Sequence, residues 1–250
     1  MMDCALNGFF SPAQRERFLA AVSRRRSVRK FSAAPDVALK SALNYAAARV
    51  CLPGVRIELG EGAPESIFRR LPVVGGVTGT GFYAALIVDR LEADGMLHAG
   101  ISGEAFVLEA VSLGLGACWL GSFKQGGIDV PIEENEKIAA IIAIGVPGEE
   151  PTALKRKKLT EICCGDPTAW PLWAYNAAEC VRLAPSAMNL QPWKLAFAGR
   201  TMMLNQGWFG SELDMGIALL HMSLGVGEKE HMIRLGEGSE VATLIAEDRI

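Results

Sequence analysis

Four short segments of this chain carry residue types able to bind or transfer charge. The first is Arg24-Arg25-Arg26-Ser27-Val28-Arg29-Lys30-Phe31. Alternate side chains of an extended backbone point the same way, so Arg25, Ser27 and Arg29 can face one ligand. Two guanidiniums and a hydroxyl suit a phosphate or another anion. The same run also reads as a solvated basic turn at a helix end. The second segment is Ala184-Pro185-Ser186-Ala187-Met188-Asn189-Leu190-Gln191-Pro192-Trp193. Its two prolines stiffen a loop that presents Ser186, Asn189 and Gln191 to a polar ring system, or simply join a helix to a strand. The third, Gly114-Leu115-Gly116-Ala117-Cys118-Trp119-Leu120-Gly121-Ser122-Phe123, is glycine-rich enough for backbone N–H groups to approach a ligand. It equally fits a Schellman helix end and a short strand. The fourth, Lys155-Arg156-Lys157-Lys158, is a basic run of the kind usually found on a solvated surface.

The elements that must position these segments follow from periodicity and breakers. Helices are predicted over residues 12–26, from Pro35-Asp36 to Val50, from His98 to Leu113, from Pro171 to Leu183 and from Ser211 to Leu224. Strands are predicted at Val55 to Leu59, Phe82 to Val88, Ile138 to Val146, Lys194 to Ala198, Met202 to Asn205 and Val241 to Ala246. Residues 60–81, rich in Gly and Pro, read as a loop. Interspersed helices and strands give a mixed α and β class.

Composition removes several classes. A net charge of −3 gives no global basic field for nucleic acid or an anionic membrane. The start, MMDCALNGFF, lacks a secretory pattern, and the longest apolar run, Ile138 to Val146, is too short to span a bilayer. The expectation is a cytoplasmic protein with no nucleic-acid or membrane partner. The six cysteines form no C-x-x-C pair and have no histidines at zinc spacing, so reduced thiols and no metal are expected.

Two internal echoes stand out. Ser112-Leu113-Gly114-Leu115-Gly116 recurs as Ser223-Leu224-Gly225-Val226-Gly227, and Asn44-Tyr45-Ala46-Ala47-Ala48 recurs loosely as Tyr175-Asn176-Ala177-Ala178-Glu179. Their shared order suggests a diverged duplication, with one half over residues 1–165 and a shorter one over 166–250.

Taken together, the four segments resemble the nitroreductase superfamily, whose R-R-S-x-R-x-F segment, A-P-S-x-x-N-x-Q-P-W loop, G-L-G-x-C-W-x-G turn and late basic residue build one FMN site. Ala184 to Trp193 fits that loop at ten consecutive positions, and Arg25 to Phe31 fits the first segment at seven. The order departs from the usual one, because the A-P-S loop follows the glycine-rich turn. The resemblance covers most of residues 20–225 and looks closest to single-chain, internally duplicated nitroreductases.

That resemblance implies an α+β, nitroreductase-like fold: two pseudo-symmetric halves, each a mostly antiparallel sheet flanked by helices, fused as a pseudo-dimer. It implies that Arg25, Ser27, Arg156 and Lys155 hold the FMN phosphate and that Arg29 lies at the pyrimidine edge of the flavin. Pro185, Ser186 and Asn189 would contact the flavin, and the backbone of Gly121 and Ser122 would lie near its N5 and O4. No protein group acts as nucleophile. The implied activity is NADH- or NADPH-driven ping-pong reduction of a nitroaromatic, quinone or related small acceptor. Residues 165–175 hold no basic residue and 51–55 no serine or asparagine, so one FMN per chain is expected, in a monomer or weak homo-oligomer. The alternatives are an FMN-binding sensor or store without turnover, and another reaction on the same fold, such as dehalogenation or enoate reduction. A basic nucleic-acid module is a third reading.

Overall fold

A computed structural model describes residues 2–69, 76–149 and 155–247. In chain order its elements are β1 (Met2–Asp3), α1 (Pro12–Val22), β2 (Phe31–Ala33), α2 (Val37–Arg49), β3 (Val55–Glu61), α3 (Pro64–Ile67), β4 (Phe82–Asp89), α4 (Gly95–Ser112), β5 (Gly116–Leu120) and β6 (Glu136–Pro147). They continue with α5 (Leu159–Ile162), α6 (Leu172–Leu183), β7 (Trp193–Ala198), β8 (Thr201–Gln206), α7 (Glu212–Gly225), β9 (His231–Leu235) and β10 (Glu240–Ala246). By packing the chain divides into two units, residues 24–154 and residues 1–23 with 155–250.

The first unit is built on β4. Its residues 82–88 are all buried, which fits a central strand with neighbours on both edges. The sheet runs β3-β4-β6-β5, antiparallel throughout, and β2 adds to the far end of β6. Helix α4 is buried at nearly every position, as a helix apolar all round must be. It ends in the Schellman arrangement: Leu115 N–H donates to Ala110 C=O at 3.0 Å, and Gly114 supplies a φ of +81°.

The second unit repeats this plan. Setting aside the single-turn helix α3, residues 37–147 run α-β-β-α-β-β, and residues 172–246 run α-β-β-α-β-β as well. The second sheet is ordered β7-β8-β10-β9, again antiparallel throughout, with β1 closing its edge on β9. The strand order within each repeat is therefore the same, first-second-fourth-third. Helix α7 matches α4 in position and in burial. A Cβ on Gly225 would lie 2.5 Å from the Cα of Ala177, so glycine permits the close approach of α7 to α6.

The packing units are not the halves read in the sequence. The N-terminal segment belongs with the second sheet: Asn7 exchanges two hydrogen bonds with Ile233, at 2.7 and 2.8 Å. Arg15 in α1 donates to the terminal turn of α7 at Ser223 C=O, 2.7 Å.

Three local expectations change. Helix α1 stops at Val22 rather than 26, because Val28 N–H bonds Ala117 C=O at 3.0 Å and holds the arginine segment extended alongside β5. The span 60–81 is not all loop: β3 continues to Glu61, and Pro64 starts the short helix α3. Residues 70–75 of that span lie outside the described residues. Strand β9 was not foreseen.

Candidate functional site

In the first unit, the arginine segment runs beside β5. Ser27 bridges Ala117 in parallel, and Thr78 N–H donates to Arg29 C=O at 2.9 Å, so the segment is held from both sides. Arg25 is buried, Ser27 exposed and Arg29 half-buried. Strict alternation would give the three one common face; here Arg25 turns inward instead. Its Nε lies 3.5 Å from Glu104 Oε1, and both side chains are sealed from water. Glu104 also accepts the indole N–H of Trp119 at 2.8 Å. Burial draws the Arg25 guanidinium below its usual value, and Glu104 draws it back; an arginine stays charged in either case.

Arg25 and Arg29 flank Ser27, which bridges Ala117 of β5. Burial pushes the Cys118 thiol up, while both arginines pull it down. A buried thiol of raised pKa is a poor nucleophile. Gly121 and Ser122 follow directly after β5, and a Cβ on Gly121 would meet nothing within 4 Å, so space lies open over that backbone. Arg26 opposes the charge on Arg25, and Glu104 favours it.

In the second unit, the A-P-S loop and the basic run form one knot. Arg156 Nη1 donates to Asn189 Oδ1, and Asn189 Nδ2 donates to Lys155 C=O at 2.9 Å. Gln191 is buried and fully engaged. Its Oε1 accepts Lys157 N–H at 2.6 Å, its Nε2 donates to Arg182 C=O at 2.8 Å, and its own N–H donates to Ser186 Oγ at 2.8 Å. Asp214, at the start of α7, accepts Ala187 N–H at 2.8 Å. Three non-glycine residues of the loop, Met188, Asn189 and Gln191, have φ of 52°, 58° and 45°. Left-handed backbone at ordinary residues costs energy and clusters where a loop must hold a set shape.

The predicted residues thus gather in two groups: Arg25, Arg29, Ser27, Gly121 and Ser122 around β5, and Lys155, Arg156, Ser186 and Asn189, with Pro185 buried beneath, in the knot. Reading the loop's side chains as a ready frame for a ring missed that those of Asn189 and Gln191 hold the basic run. It also missed Glu104, the fully buried one of two acids in the apolar helix α4. Among the described residues no group of three or more His, Cys, Asp or Glu side chains could hold a metal ion. No described helix is long and apolar enough to cross a membrane.

No curated protein matches the chain. A crystal structure of a putative nitroreductase from Thermotoga maritima superposes with a TM-score of 0.69 at 22% identity, over 91% of this chain and 93% of that one. An FMN-dependent nitroreductase from Clostridium difficile covers 54% of this chain and 90% of its own at 19% identity, with a TM-score of 0.43. The family model described as "Putative TM nitroreductase" matches residues 18–226. That span takes in the arginine segment, the glycine-rich turn, the basic run and the A-P-S loop, and the chain belongs to this family within the nitroreductase superfamily.

Proposed function

We propose that the chain is an FMN-dependent oxidoreductase that takes electrons from NADH or NADPH and passes them to a nitroaromatic, quinone or related small acceptor. The observation that carries this reading is at β5: the basic segment from Arg24 to Lys30 runs alongside that strand through the Ser27–Ala117 bridge, and open glycine backbone follows at Gly121. An organic phosphate needs such cations, and a planar ring needs such open backbone. Bound FMN would supply the two-electron chemistry, so the protein's work is binding and orientation.

Each group then has a task. Ser27, Arg156 and Lys155 hold the phosphate, and Arg25, sealed against Glu104, joins them only if that pair opens. Arg29 stands where positive charge favours a reduced, anionic ring. Gly121 and Ser122 offer backbone N–H groups. Pro185, Ser186 and Asn189 are the further flavin contacts, and the bonds from Gln191 and Asp214 hold their loop. The repeated α-β-β-α-β-β order supports descent from a two-subunit ancestor, with one of two ancestral pockets retained.

A visible spectrum of the purified protein tests the reading. The expected result is a yellow protein bleached by NADH or NADPH without oxygen. A colourless protein that takes up no added FMN would refute it. A yellow protein that no nicotinamide reduces would instead favour a flavin store or sensor.

A further inference from the structure

Helix α1 is tied to α7 beside a histidine. Arg15, half-buried in α1, donates from Nη2 to the Ser223 carbonyl at 2.7 Å. That oxygen lies in the last turn of α7, where a cation answers a carbonyl left over at the helix end. The same Nη2 lies 3.5 Å from Nε2 of His231, the first residue of β9. Ser223 Oγ lies 3.1 Å from that ring nitrogen as well. The other ring nitrogen, Nδ1, is 2.9 Å from the Lys229 carbonyl. A carbonyl can only accept, so Nδ1 carries the proton. In the neutral ring Nε2 is then a bare acceptor, shared by Ser223 and Arg15.

Adding a proton to Nε2 reverses its role. Ser223 can turn its hydroxyl and accept. Arg15 has only donors, so its guanidinium would face a second cation at 3.5 Å. Burial draws the His231 imidazole below its usual 6.5, and the bond to the Lys229 carbonyl draws it back. Arg15, from α1, lowers it further, while Glu247, just past β10, raises it. From α7 the contact is the neutral Ser223. A histidine whose folded value lies below its unfolded one contributes stability above about pH 6.5, and that contribution is lost as pH falls through the folded value. The other holds on this segment, the Asn7–Ile233 bonds and the edge-on pair Phe10–Phe18 with ring centres 5.3 Å apart, do not titrate.

We propose that His231 is an acid-sensitive latch: neutral, it accepts Arg15 and helps clasp α1 to α7; protonated, it repels Arg15 and loosens α1. The inference is independent of the flavin reading.

Two measurements on the full-length protein test it. The first is an NMR titration of the three histidine rings, with His231 assigned from His231→Gln. His231 should titrate below its usual value, and Arg15→Gln, which keeps a donor and drops the charge, should raise it. The second is amide exchange in α1 at about pH 7.5 and about pH 5, corrected for the intrinsic rate, a window that brackets histidine titration. Corrected exchange in α1 should quicken in acid in wild type but not in His231→Gln, and α4 should not follow it. Linkage sets the size: for each pKa unit by which the docked helix lowers His231, acid should speed its opening about tenfold. The proposal fails if Arg15→Gln leaves the His231 titration where it was. It also fails if His231→Gln responds to acid as wild type does, or if α4 quickens as much as α1. Should His231→Gln not fold, the Arg15→Gln titration decides, with His231 assigned through its contact with Ser223.

Discussion

Glu104 Oε1 lies 3.5 Å from Arg25 Nε, and the two side chains are 0% and 2% exposed. Each charge is the reason the other can be buried. Removing the carboxylate strands a guanidinium out of water, so Glu104→Ala should cost about 3–5 kcal/mol of folding stability. Glu104→Gln should cost less, because its carbonyl can still accept from Trp119. Urea denaturation of the three proteins checks the order; a Glu104→Ala variant as stable as wild type would contradict the pairing.

The flavin assignment predicts a particular pattern of loss. Arg25→Ala with Arg29→Ala should give protein that no longer retains FMN, while lysine at both positions should restore part of the binding, since charge is kept and the planar fork is not. Flavin released by denaturing wild type should amount to one per chain. A ratio near two would show that both ancestral pockets survive.

Gln191 offers a site-specific reading of the loop. Gln191→Ala removes the acceptor of Lys157 N–H and the donor to Arg182 C=O. A loss of about 2 kcal/mol is expected from two broken, partly buried bonds. Amide hydrogen exchange should quicken at Lys157 before it quickens in β7, and uniform acceleration would argue against a local role.

Acid should act through Glu136. Arg56 grips its carboxylate with two bonds, at 2.7 and 2.6 Å, and chiefly this contact brings its pKa from 4.5 down to about 2. A depressed carboxylate contributes stability above its unfolded pKa and loses it as pH falls through the folded one. Glu136→Gln should therefore be less stable than wild type near neutrality, by about 1 kcal/mol or less for a partly exposed pair. The gap should narrow between about pH 4.5 and pH 2. A gap that persisted at pH 2 would point to another cause.

Much of the fold was legible because its strongest signals are local. Strand β4 and helix α4 are apolar runs with clear breakers, and Gly114 marks the helix end where it falls. Strand β9 was missed because only Ile233 and Leu235 face inward between charged flanks, and its pairing with β10 is set by the far side of a turn. The site was legible as segments, since the spacing of Arg25, Ser27 and Arg29 and the run from Ala184 to Trp193 are contiguous. What the segments do to each other was not. Nothing local tells that Arg25 faces Glu104, 79 positions away by number (104 − 25), or that Gln191 spends its amide on Lys157.

The placement of α1 and β1 with the second sheet has a consequence for biosynthesis. Met2 pairs with Leu235, so β1 meets its partner only after well over two hundred further residues are made. At roughly 5–20 residues per second that wait is on the order of ten seconds or more. Residues 24–154 hold a complete sheet and can close during that interval. Strand β1 and helix α1 then wait unspent for a layer whose other members are made after residues 24–154.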